Sequence, residues 1–200
     1  ATAAAGLLKG CTTEFLVERC GKVQAGWPVL VHAAAGGVGL LLVQWLKHLG
    51  ATVIGTASVA NQLYAKIDID DLQNVRKYSP NRAYGDAKLA NILFARELDF
   101  RFREQGIHSA SFHPVIATNF AADSSSPLRI VYRSVLSRFL GSAKTGADTL
   151  VWLTTSRPGV DWPLGEYFSK RRVTKANAQA YETGLAHRLW EESEKMVGLP

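Results

Sequence analysis

Apolar residues follow two periods along this chain. Compact β-branched and apolar runs at 28–33, 51–56 and 107–113 read as buried strands, each bounded by Gly, Pro or polar residues. Between them the apolar positions recur every three or four residues. That spacing predicts helices over about 2–8, 12–20, 38–49, 82–105, 128–139, 143–156 and 176–197, with Thr12 or Thr13 capping the second. On the longest, Leu89, Ile92, Leu93, Leu98 and Phe102 form one broad apolar stripe. A short strand is expected near 166–169. Residues 62–81 are the least regular, with Ile67–Asp71 a polar connection, and the Ser-rich stretch 121–127 reads as a mobile loop. Strand and helix alternate, so the expected class is α/β with a mainly parallel sheet.

The stretch Pro28–Leu46 has the length of a membrane span. Its grammar is different: a β-branched run, a break at Gly36, Gly37 and Gly39, then a helical pattern. A strand, a glycine turn and a packed helix account for it, and no membrane span is expected. The composition agrees with a folded domain, at 47% apolar and 20% charged residues over 200 positions. Cys11 and Cys20 are the only cysteines, which suits buried thiols in a reduced, cytoplasmic setting, and no Cys/His spacing suggests a metal. Lys and Arg exceed Asp and Glu by 23 to 17, a net charge of +6 that leans toward an anionic partner. The basic run at 169–175 has no aromatic residues for base stacking, so it reads as a solvated loop and nucleic acid is not expected.

Two patterns carry candidate chemistry. In the first, Val31–Gly39, small residues join a strand to a helix. Against G-x-G-x-x-G, Ala34 stands in the first glycine position, with Gly36 and Gly39 in the second and third. Gly37 and Val38 lie between them, where backbone amides and the helix N-terminus face a pyrophosphate. No Asp or Glu occurs between Glu18 and Asp68, so the second strand lacks the carboxylate that holds the ribose hydroxyls of NAD. It ends instead in Thr56-Ala57-Ser58, whose hydroxyls suit a 2′-phosphate and favour NADP(H) over NAD(H). The second pattern is Tyr84-Gly85-Asp86-Ala87-Lys88, with Tyr and Lys on one helix face. A Tyr acting as acid or base needs its anion stabilised, and an ammonium one turn away does that. The plain alternative is a surface pair on an amphipathic helix.

From about residue 58 to 200 the chain resembles the short-chain dehydrogenase/reductase family, of the retinol-dehydrogenase-like kind. The resemblance rests on Ile69–Gln73, Ala83–Asn91, His113-Pro114, Thr118, Gly165–Phe168 and Leu189–Glu191. It implies Tyr84 as catalytic acid/base, Lys88 as its electrostatic partner and a contact to cofactor ribose, Ser58 near the catalytic serine, and Thr118 as a cofactor contact. Residues from about 3 to 58 resemble a zinc-independent medium-chain quinone oxidoreductase, through Gly6–Gly10, Phe15–Val17, Val29–Gly39, Val43–Trp45 and Gly50–Thr56. The expected domain is therefore one Rossmann-like, NADP-binding three-layer sandwich over 1–200 with a shortened sheet, its glycine-loop half at 1–58 and its catalytic half at 59–200.

The short-chain family's own glycine motif is missing, its Pro-Gly turn reads Pro114-Val115, and the quinone reductase substrate domain is absent. Ser58 has two incompatible roles: binding a 2′-phosphate on the adenine side, or activating a carbonyl on the nicotinamide side. The leading expectation is an NADP(H)-dependent oxidoreductase acting on a small hydrophobic carbonyl or alcohol, with a homo-oligomer left open. The alternatives are an NADPH quinone reductase and a catalytically silent nucleotide-binding or interaction protein. His32 and His113 are expected to be structural, and Trp45, Trp152 and Trp190 to lie in the core.

Overall fold

A computed structural model describes residues 10–32, 37–114 and 143–197. The helices expected at 2–8 and 128–139, the loop at 121–127, and Ala34, Gly36 and Thr118 lie outside those residues. The described elements are β1 (Pro28–Val31), α1 (Gly37–His48), β2 (Thr52–Thr56), α2 (Ala60–Leu63), α3 (Pro80–Phe102), β3 (Ser109–Phe112), α4 (Ala143–Thr155), β4 (Tyr167–Ser169), β5 (Arg172–Val173) and α5 (Leu185–Val197).

The sheet order is β1-β2-β3-β4-β5, parallel through β4, with β5 returning antiparallel. Alternation along the strands sends side chains to two faces. On one face Val31 and Val53 join Val43 and Leu46 of α1, Phe94 and Leu98 of α3, and Trp190 of α5. Leu89, Ile92 and Leu93 continue that layer against Ala57, Tyr167 and Leu189. On the other face Ile54, Ala110, Phe112 and Phe168 pack on Leu153 and Trp162. Helices thus cover both faces, as a parallel sheet requires; the α/β class expected from the periodicity, Rossmann-like as the resemblances imply, is the one observed. Each large side chain so buried contributes about 1.5–3 kcal/mol.

The long helix starts two residues earlier than its pattern suggests. Ser79 caps it, its hydroxyl accepting from the Arg82 amide at 3.1 Å, and Pro80 occupies the first turn, where no amide is needed. It gives way to a tight turn at Arg103–Gln105 and stops at Gly106, with φ 78°.

Four local readings need correction. The basic run is a hairpin joining β4 to β5, because Lys170 and Arg171 both take positive φ, at 51° and 57°, in the turn that matches strand twist. Arg171 is paired with Asp148, its Nε 2.7 Å from the carboxylate. The last helix begins at Leu185 rather than 176, since the Asn177 side chain caps a separate turn at Ala178–Tyr181 and Gly184 turns left-handed. Cys11 and Cys20 are exposed, because the N-terminal helical segment, π-helical over Phe15–Gly21, buries chiefly Thr13 and Val17. His32 is exposed as well, in the turn after β1.

Positive φ at a lysine costs about 1 kcal/mol more than at asparagine or glycine. Lys170→Asn is therefore expected to raise unfolding stability by about 0.5–1 kcal/mol in a urea titration.

Candidate functional site

β2 leads directly into the first candidate residue. Its ladder extends one residue beyond the strand, the Ala57 amide donating to the Phe112 carbonyl at 2.8 Å. The chain then turns at Ser58, which is half-buried, into the single turn of α2. Ser58 Oγ accepts from the Ala60 amide at 3.2 Å. With a lone pair engaged in this way, the hydroxyl hydrogen remains available for donation to an outside acceptor.

The second candidate pair lies at the start of α3, on the same edge of the sheet. Tyr84 and Lys88 are half-buried and one turn apart, with Lys88 Nζ 5.5 Å from the centre of the Tyr84 ring. Gly85, between them, sets how close this turn comes to α2. A β-carbon there would fall 2.8 Å from the Ala65 amide nitrogen and 2.9 Å from the Ala60 carbonyl oxygen, so only glycine fits. Hydrogen bonds reinforce the contact. Asp86 accepts from the Lys66 amide at 2.7 Å, while Arg82 donates to the Lys66 carbonyl at 2.8 Å. The turn carrying Ser58 and the turn carrying Tyr84 thus form one packed unit.

Lys88 joins that unit to the strand end. Its Nζ lies 3.4 Å from the Thr56 carbonyl, which also accepts from Asn91 Nδ2 at 2.9 Å. Among the described residues Lys88 has no carboxylate partner, and burial holds its ammonium below the usual lysine range. Thr56 Oγ1, Ser111 Oγ and His113 Nδ1 are buried without hydrogen-bond partners among the described residues, all at the ends of β2 and β3. By register Thr56 lies on the sheet face of Ile54 and Phe112, and Ser111 on the opposite face with Tyr167. Burial also lowers the His113 imidazole below its ordinary value, favouring the neutral ring. A cavity of about 440 Å³ adjoins Lys88, lined also by Ile67, Leu72, Ala87, Leu189 and Met196.

The expected residues are only partly gathered. Thr56, Ser58, Tyr84 and Lys88 come from elements that touch one another. Gly37, Val38 and Gly39 open α1 beyond β1, the strand at the margin of the described sheet. β2 lies between β1 and β3, so the strand bearing Ser58 adjoins both the glycine-bearing strand and the strand that follows α3. Strand order among the described residues does not reverse, so they hold no switch point of the kind that makes a dinucleotide crevice. The buried amide of Asn61 has no counterpart among the sequence motifs, while Asn91 closes the Ala83–Asn91 stretch without having been given a role. A glycine inside a helical pattern, as at Gly85, was the one local sign of close packing.

No family model matches the chain. It is similar to human retinol dehydrogenase 12, 34% identical over 160 residues covering 80% of this chain and 50% of the relative. Against human retinol dehydrogenase 14 it is 32% identical, covering 80% and 48%. The chain spans about half the length of these curated relatives. The matched stretch is longer than the segment from Ser58 to the C-terminus, so this likeness reaches into residues before Ser58. In structure the chain superposes on an uncharacterised protein of Mycobacterium paratuberculosis with a TM-score of 0.66 at 18% identity, covering 95% of this chain and 72% of the other, which shows the shared fold. A mycobacterial quinone oxidoreductase is 32% identical over 61% of this chain and 34% of its own, at a TM-score of 0.29.

Two outcomes follow from the packing and the electrostatics. Gly85→Ala forces a methyl group into backbone atoms and is expected to cost about 1–3 kcal/mol in denaturant unfolding. His113 has a lowered folded pKa, so as pH falls below about 6.5 the unfolded chain binds a proton that the folded chain does not, and stability declines. His113→Asn should flatten that part of the stability–pH curve measured by urea titration.

Proposed function

We propose that the chain is an oxidoreductase of the short-chain dehydrogenase type, interconverting an alcohol and a carbonyl with NADP(H). The observation that carries this is the reach of Lys88 from α3 to the Thr56 carbonyl, two residues before Ser58 and one turn beyond Tyr84. That contact ties the three side chains of the proposed chemistry to one strand end. The similarity to retinol dehydrogenases supports the same reading.

The residues present fit a nicotinamide dinucleotide on two counts. The half-buried Lys88 has no acid to neutralise it among the described residues, and the buried Thr56 hydroxyl lacks a partner. Ribose hydroxyls and phosphate oxygens satisfy both, so Lys88 and Thr56 are the residues that would hold the cofactor. Sequence assigns Gly37, Val38 and Gly39, with Ala34, Gly36 and Thr118, to the same role. Bound there, the dinucleotide supplies or accepts the hydride.

The chain's own groups handle the proton. Ser58, its oxygen already engaged by the Ala60 amide, donates its hydrogen to the substrate carbonyl oxygen and orients it. The Tyr84 phenol gives that oxygen its proton as the alcohol forms, and takes it back in the reverse direction. The Lys88 ammonium, 5.5 Å from the centre of the Tyr84 ring, is the cation nearest to hand for that transfer. A position between β1 and β3, next to the strand after α3, supports the carbonyl-activating role for Ser58 over the 2′-phosphate role.

Tyr84→Phe is expected to lower kcat for NADPH-dependent reduction of a small apolar aldehyde by about 10²-fold or more, with NADPH affinity little changed. NADPH should bind more tightly than NADH in calorimetry. Undiminished turnover in the Tyr84→Phe protein would overturn the mechanism. Dinucleotide binding without any turnover of aldehydes, ketones or alcohols would favour the silent nucleotide-binding reading.

A further inference from the structure

Asn61 is fully buried, and its side chain makes three contacts in three segments. Nδ2 donates to the Ser58 carbonyl at 2.5 Å and lies 3.4 Å from the Tyr167 hydroxyl, and Oδ1 accepts from the Asn177 amide at 2.9 Å. Asn177 returns the contact, its own Nδ2 donating to the carbonyls of Asn61 and Ala65 at 2.9 and 3.1 Å. Gln179 then brackets Ile67, accepting from its amide at 2.8 Å and donating to its carbonyl at 2.9 Å. Residues 58–67 are therefore held on one side by α3 and on the other by amide side chains from 177–179. Burial pushes the Tyr167 phenol up to about 12, so it stays protonated and neutral beside Asn61. A buried amide with its donors and acceptors engaged fixes one local geometry, since any other leaves polar groups unpaired.

We infer that Asn61 is a positioning residue that fixes the Ser58 turn, and that the segment around Asn177 is thereby part of the catalytic framework. This rests on the proposed role of Ser58. Asn61 acts through Ser58 and touches neither substrate nor cofactor. Asn61→Asp keeps the volume and the acceptor for Asn177 while removing the amide donor to Ser58. Asn177→Ala cuts three bonds from a half-buried position, two to the backbone of Asn61 and Ala65 and the cap on Gln179, and is the variant expected to fold if the first does not.

The full chain and both variants are compared in NADPH-dependent reduction of a small apolar aldehyde, and in hydrogen exchange at the Ala60 and Asn61 amides. Expected are a fall in kcat of about 10- to 100-fold with KM for NADPH unchanged within about twofold, and faster exchange at Ala60, whose amide bonds to Ser58 Oγ. Unchanged kcat together with unchanged exchange overturns the inference. Equal loss of kcat and NADPH affinity also overturns it, as the mark of general loosening. If the parent chain turns over no carbonyl substrate, the functional reading fails. The exchange rates then still decide whether Asn61 holds the Ser58 turn.

Discussion

The approach of α3 to the turn after β2 depends on a missing side chain. Gly85 brings helix backbone against the Ala60 carbonyl and the Ala65 amide at distances that no β-carbon tolerates. The rest of the site is arranged around that contact. Asp86 and Arg82 can reach the backbone of Lys66 because the helix lies so close, and Lys88 and Asn91 can span to Thr56. Glycine inside a helix costs about 1 kcal/mol relative to alanine. Here the cost is offset by the bonds the close approach permits.

The Thr56 carbonyl serves two donors of different strength. Asn91, at 2.9 Å, makes the firm bond and anchors the helix to the strand end. Lys88, at 3.4 Å, is held loosely by the same oxygen, without a carboxylate partner among the described residues. A structural ammonium would ordinarily sit beside an acid, since burying an unpaired charge is costly. The helix is thus fixed to the strand end by Asn91, and the lysine adds a longer contact to the same oxygen. The unpartnered hydroxyls of Thr56 and Ser111 lie on the same edge.

Much of this was legible in the order of residues. Strands at 28–31, 52–56 and 109–112 lie within the runs that periodicity marked, because buried parallel strands read as unbroken apolar stretches. The buried stripe of α3 followed from its helical spacing, and Tyr84 and Lys88 from a pattern whose geometry is local to one helix. What could not be read is non-local or conformational. The hairpin at 168–173 depends on two charged residues adopting positive φ, which their identities do not suggest. The late start of α5 depends on Asn177 turning its side chain onto distant backbone. Asn61 stands alone in the sequence, and nothing in the spacing of Ala83–Asn91 signals the bond from Asn91 to Thr56. Sequence alone did not show β2 lying between β1 and β3, the placement that bears on the role proposed for Ser58.

The bond from Asn177 to Asn61 joins positions 116 residues apart. The turn that carries Ser58 takes one of its holds from far along the chain. A chain cut before residue 177 would still contain Ser58, Tyr84 and Lys88, with a fully buried amide left bereft of its partner. Such a fragment keeps every residue of the proposed chemistry and loses one of the contacts that hold the Ser58 turn. Surveys that judge this kind of protein by its motif residues alone would score the truncated and the intact chain alike.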